Sequence, residues 1–236
     1  MRRALGVACA IGLALTACAT SDEPAETKNA PVPGHVMNDV PDEIRPDRSY
    51  LFYLHGQIVE DQGVRPEHPE FGVYEYEAVL AALAEKGFEV ISEPRPPRTD
   101  GREYARKIVT QIESLRSAGV PAERISVVGF SKGGGIAVAV SSLLDDERVS
   151  FAFLGTCAKR IQDPPPLELK GRILSIYEAS DPVAGSCREL FSGSVAAPGL
   201  EELEIRLGGG HGAFYRPAPE WIDPVVDWVR GVGPRT

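Results

Sequence analysis

The chain has 236 residues, with 34 Asp or Glu against 25 Lys or Arg and a formal net charge of −9. That length suits one α/β domain with a sizeable core. The acidic balance excludes nucleic acid as a partner, because the phosphate backbone calls for a basic surface.

In chain order, Arg2 and Arg3 open a basic start, and Ala4 to Leu15 make an apolar run. The run is too short to span a bilayer comfortably and suits an export signal over residues 1–17. It ends in Leu15-Thr16-Ala17-Cys18, which resembles the lipobox of bacterial lipoproteins. The resemblance implies cleavage before Cys18 and a lipid on its sulfur, holding the chain at a membrane of the bacterial cell envelope; the alternative is an ordinary signal with an incidental cysteine. Residues 18–34 are polar and proline-bearing, too poor in apolar side chains to order themselves, and read as a flexible tether. Loss of Arg2 and Arg3 with the signal leaves residues 18–236 with 23 Lys or Arg against 34 Asp or Glu, a net charge of −11, and the domain itself is expected over residues 35–236. Cys157 and Cys187 are an even pair in an oxidising compartment. They are either a disulfide or two unpaired small residues, and neither has metal-ligand spacing. No metal or other cofactor is expected.

From Tyr50 onward, strand-length apolar runs alternate with helical patterns. Strands are expected at 50–56, 88–92, 124–130, 149–155, 172–178 and 202–208, the stretch from Gln57 to Tyr74 being a long loop. Helices are expected at 75–87, where Tyr76, Val79, Leu80 and Leu83 share a face, and at about 103–118, closed by Gly119 and Pro121. A further helix follows the turn at Ser131, and a short one lies near 184–191. A last one should start with Asp223 as cap and Pro224 at its first position. This order predicts right-handed crossovers and a mostly parallel sheet of about six strands, covered by helices on both faces.

Gly129-Phe130-Ser131-Lys132-Gly133 matches G-x-S-x-G between a strand and a helix, a turn that leaves the serine hydroxyl projecting. Reactive groups in parallel sheets gather at the carboxyl ends of the strands. There the chain offers Ser131, then Asp181 in Glu178-Ala179-Ser180-Asp181-Pro182, then His211 in Gly208-Gly209-Gly210-His211-Gly212. The order Ser, Asp, His and the elbow resemble the α/β-hydrolase fold, here without a lid insertion.

The resemblance implies a Ser-His-Asp triad, with Ser131 as nucleophile, His211 as general base and Asp181 as its orienting acid; Glu178 competes for the last role. It also implies an oxyanion hole from the Lys132 amide and one amide of the loop His55-Gly56-Gln57-Ile58, with Gln57 preferred to Ile58 and His55 structural. Lys132's side chain either points into solvent or meets an anionic substrate. Arg95, Arg98, Lys159 and Arg160 are either solvated loop residues or anion contacts. A carboxylic ester hydrolase forming an acyl-enzyme on a small or polymer-displayed ester is expected. The alternatives are a thioesterase or peptidase on the same machinery, or a catalytically idle lipoprotein that binds a ligand or partner. Oligomeric state is open.

Overall fold

In the computed structural model, residues 1, 32–158, 168–192 and 199–233 are described. Most of the expected export signal, Cys18 and most of the expected tether lie outside the described residues, as do Lys159 and Arg160. Contacts of the domain include Gly34, whose amide donates to Ala84 O at 2.8 Å, and Pro33, whose carbonyl accepts from Arg48 Nη2 at 3.2 Å. Among the described residues no helix is long and apolar enough to cross a membrane.

The core is one seven-stranded sheet, parallel throughout. Its strands are β1 (Val36–Met37), β2 (Ser49–Leu54), β3 (Phe88–Ile91), β4 (Ile125–Phe130), β5 (Ser150–Leu154), β6 (Arg172–Glu178) and β7 (Gly199–Ile205), in the spatial order β1-β3-β2-β4-β5-β6-β7. Helices are α1 (Gln57–Gln62), α2 (Tyr76–Glu85), α3 (Gly101–Ser117), α4 (Lys132–Leu143), α5 (Arg188–Ser192) and α6 (Pro219–Val229). Side chains of β2 alternate between two apolar layers. Leu51 and Tyr53 join the cluster that contains α2 and α6, whereas Tyr50, Phe52 and Leu54 join the one that contains α3 and α4. Both faces are therefore covered, which is why the strands read as nearly continuous apolar runs. α4 ends at Leu143 and β5 begins at Ser150, so no lid insertion intervenes between them.

Four differences from the sequence expectation have physical causes. The seventh strand, β1, is two residues long and leaves no periodicity; its pairing rests on backbone bonds such as Val90 N to His35 O, 2.7 Å. β7 starts and ends three residues earlier than its apolar pattern suggests. The amides of Leu207 and Gly208, which could have extended the ladder, donate instead to the Glu178 carboxylate at 2.7 and 3.2 Å. α6 starts at Pro219, with Ala218 as N-cap and Pro224 inside the helix rather than at its first position. Burying Trp221 and Ile222 on the same face as Val225 and Val229 outweighs the one hydrogen bond that Pro224 cannot donate. Finally, α1 occupies part of the expected long loop and buries Val59 together with a charged residue, Glu60, a pattern that a hydrophobic template rejects.

Candidate active site

Ser131 stands between β4 and α4 with φ 53° and ψ −117°, one of two described non-glycine residues at positive φ. The conformation is sterically costly, about 1–3 kcal/mol. It is enforced from both sides: Ser131 N–H donates to Leu154 O at 2.9 Å, and Gly135 N–H donates to Ser131 O at 3.0 Å. The elbow also presses α4 onto β2. A Cβ at Gly133 would lie 1.9 Å from Leu54 O, so only glycine fits there. The serine hydroxyl is thereby held out at the sheet's carboxyl edge.

Asp181 and His211 come to it from the loops after β6 and β7. His211 Nε2 lies 2.9 Å from Ser131 Oγ, and His211 Nδ1 lies 2.7 Å from Asp181 Oδ2. An ionised carboxylate only accepts, so Nδ1–H donates to Asp181 and Nε2 is left to accept from the serine hydroxyl. The other Asp181 oxygen accepts from the amides of Val183 and Ala184, at 2.7 and 3.1 Å. Burial pushes the Asp181 pKa up, but the bond from His211 and these two amides outweigh it and hold it below the ordinary carboxylate range. Glu178, the competing acid, instead braces the neighbouring turns. Besides Leu207 and Gly208 it accepts from Ser180 N and Ser180 Oγ, at 3.1 and 2.9 Å.

Gly212, next to His211, has a packing cause. A Cβ on Gly212 would fall 2.5 Å from Phe71 Cβ. Phe71 stacks on His68 with ring centroids 4.4 Å apart and lies 6.3 Å from the His211 ring. Phe130, beside the serine, lies 5.0 Å from the same ring. Two aromatic side chains thus wall the imidazole, leaving His211 8 % exposed.

Gln57 and Lys132 are the first residues of α1 and α4, where helix geometry supplies no intrahelical acceptor for the backbone N–H. Both line the cavity of about 790 Å³ that Ser131 and His211 also line; Ile58 instead packs on the core. His55 is fully buried. Its Nδ1–H donates to Gly56 O at 2.8 Å, and its Nε2 accepts from Arg95 N–H at 2.9 Å. Burial, reinforced by the nearby Arg95 charge, pushes its pKa down to about 3, so it stays neutral.

Two charged side chains depart from expectation. Lys132 does not reach into open solvent: its ammonium meets Glu60 Oε2 at 2.5 Å. Arg95 is neither solvated nor available to an anion, because its buried guanidinium pairs with Glu60 Oε1 at 2.8 Å. In the sequence Glu60 is one residue of the long loop that could line the pocket; its pairing with Arg95 and Lys132 leaves no local trace, since it stands between Val59 and Asp61 like any helix-face acid. Cys157 and Cys187 form a disulfide, with Cα atoms 5.2 Å apart. It ties the loop after β5 to the segment that follows Asp181. Among the described residues no cluster of three or more His, Cys, Asp or Glu is placed to hold a metal ion.

No family model matches the chain, and no curated protein matches its sequence. Solved structures do align. Arabidopsis thaliana SOBER1 is 14 % identical, with a TM-score of 0.51, over 78 % of this chain and 98 % of its own. A truncated carbohydrate esterase from gut microbiota is 13 % identical, TM-score 0.55, over 81 % and 88 %. A monoacylglycerol lipase from Paleococcus ferrophilus is 15 % identical, TM-score 0.56, over 80 % and 96 %. At such identities the likeness is one of fold: the architecture is that of the α/β-hydrolases, with no lid insertion between α4 and β5.

Proposed function

We propose that the protein is a serine hydrolase that cleaves carboxylic esters through an acyl-enzyme. The observation that carries this reading is the unbroken hydrogen-bond line from Ser131 through His211 to Asp181, opening on a cavity. In the first step Ser131 Oγ attacks the ester carbonyl while His211 Nε2 takes its proton. Asp181 holds the tautomer and stabilises the imidazolium. The carbonyl oxygen, now negative, is received by the amides of Gln57 and Lys132 and by the N-terminus of α4, each amide contributing about 3–4 kcal/mol. His211 then protonates the leaving alcohol, and a water activated by the same imidazole releases the acid.

The cavity favours an acyl group as the part that is recognised. It follows α4 past Gly135, Ile136 and Ala139 to Leu143, and the rim residues Leu143 and Val183 are exposed apolar side chains. Two of the structurally similar proteins bear ester-cleaving names, an analogy of fold alone.

The deciding experiment is fluorophosphonate labelling and hydrolysis of p-nitrophenyl esters by wild type and Ser131→Ala. Label on Ser131 and loss of turnover in the variant are expected. An unlabelled Ser131 with no wild-type hydrolysis above the buffer rate would remove the enzyme reading and leave a ligand-binding lipoprotein, and hydrolysis unchanged in Ser131→Ala would remove Ser131 as the nucleophile. Thioester or peptide substrates in parallel decide the leaving group.

We further propose that Cys18 carries lipid and anchors the exported domain at a membrane of the cell envelope. The support is the Leu15-Thr16-Ala17-Cys18 motif behind a basic, apolar leader. Several acyl chains, at about 0.8 kcal/mol per buried methylene, would make the attachment stable. Detergent-phase partitioning of the expressed chain, lost in Cys18→Ser, is the expected result.

A further inference from the structure

The buried charges beneath the site have no part in the triad, yet they converge on both amides assigned to the oxyanion. Glu60 sits one turn beyond Gln57 on α1, and its side chain is 0 % exposed. One carboxylate oxygen takes the guanidinium of Arg95, also 0 % exposed, and the other takes the ammonium of Lys132, which is 25 % exposed. Arg95 also donates Nη2–H to His55 O, while its own backbone N–H donates to His55 Nε2 and His55 Nδ1–H donates to Gly56 O. Residues 55–57 are therefore gripped from one side by Arg95 and from the other by α1. Through Lys132 the same carboxylate reaches the elbow.

Burying the Arg95–Glu60 pair and half-burying Lys132 beside it is a poor way to gain stability, since desolvation offsets most of the attraction and an apolar replacement commonly does as well. Arg95 Nη1 even remains buried without a hydrogen-bond partner, so the cluster is not optimised for pairing. What such a cluster supplies is direction. Each bond has a fixed angle and length, and the two helix starts it joins carry the Gln57 and Lys132 amides.

Resting on the serine-hydrolase reading above, we propose that Glu60 is a positioning residue. It sets the distance between the two halves of the oxyanion hole by tying α1 to the Lys132 side chain, with Arg95 fixing the loop from beneath. Glu60 touches no substrate. It acts on the transition state alone, because the two amides close on an oxygen that becomes negative only during reaction.

The test compares wild type, Glu60→Gln and Lys132→Met on a p-nitrophenyl ester and on a trifluoromethyl ketone, which adds to the serine and places an oxyanion in the hole. For Glu60→Gln, kcat is expected to fall by about 10- to 100-fold, as a misplacement on the order of 1 Å does. KM should stay within about twofold, and ketone affinity should weaken in parallel with kcat, as befits a loss confined to the transition state. Lys132→Met, which keeps the Arg95–Glu60 pair, should show the same pattern at smaller size, and it carries the test if Glu60→Gln does not fold. Wild-type kcat and ketone affinity in a folded variant would overturn the proposal, as would a loss confined to KM. Absence of fluorophosphonate label on wild-type Ser131 would instead overturn the reading it rests on.

Discussion

Ser131 is where conformational strain and proposed chemistry meet. Its φ of 53° favours glycine, and a serine is kept there against that preference. Ser131→Gly should therefore raise stability by about 1 kcal/mol while abolishing turnover, read as a later urea midpoint beside a dead assay. Asp181 has no such conflict, since His211 and two amides hold it ionised. Asp181→Asn leaves the geometry but favours the wrong imidazole tautomer, and kcat should drop about 10⁴-fold with little change in fold. These residues were legible because each lies in a short, strand-ending motif whose spacing survives without coordinates. Glu60 and Arg95 were not legible, because a buried charge is recognised by its partners, and these lie on other elements. The expected exposure of Arg95 failed for the same reason.

At the scale of the element, α4 shows how a helix divides its faces. Gly133 and Gly134 are dictated by close approach, to Leu54 O and to the Thr156 side chain, each 1.9 Å from a hypothetical Cβ. Gly135 meets nothing within 4 Å and lines the cavity. A helix-interior glycine costs about 1 kcal/mol relative to alanine, so packing alone would not keep it. Gly135→Leu should fill the groove and lower kcat/KM for an octanoate ester about 10-fold more than for an acetate ester, measured side by side. The existence of α2 and α3 was readable from apolar faces that repeat at helical spacing, and that of α4 from the strand–turn–helix motif at Ser131. The ends of β7 and α6 were not, being decided by Glu178 drawing off two amides and by Trp221 finding a buried place.

For the whole molecule, acid stability follows from buried groups. His55 is neutral with a pKa near 3 when folded, against about 6.5 when unfolded. The unfolded chain therefore takes up the proton first as pH falls. Stability from this group is complete above about pH 6.5 and drains away toward pH 3, at up to about 1.4 kcal/mol per pH unit. Urea denaturation at pH 7 and pH 5 should differ by about 2 kcal/mol, and His55→Asn should flatten that interval. The Cys157–Cys187 bridge closes a segment with a sequence separation of 30. Its reduction should cost about 3 kcal/mol, seen as a lower Tm in dithiothreitol.

The sequence by itself determined the parallel α/β architecture, the elbow, and the order of Ser131, Asp181 and His211, because strand and helix periods and strand-end motifs are local properties. Tertiary structure alone decided the rest. It brought Phe71 and Phe130 against the imidazole, placed Gln57 and Lys132 on one cavity, and drew Lys132 and Arg95 onto Glu60. A long-range contact costs nothing in local propensity and so leaves no local pattern; it exists only once the crossovers have carried distant segments to the same edge of the sheet.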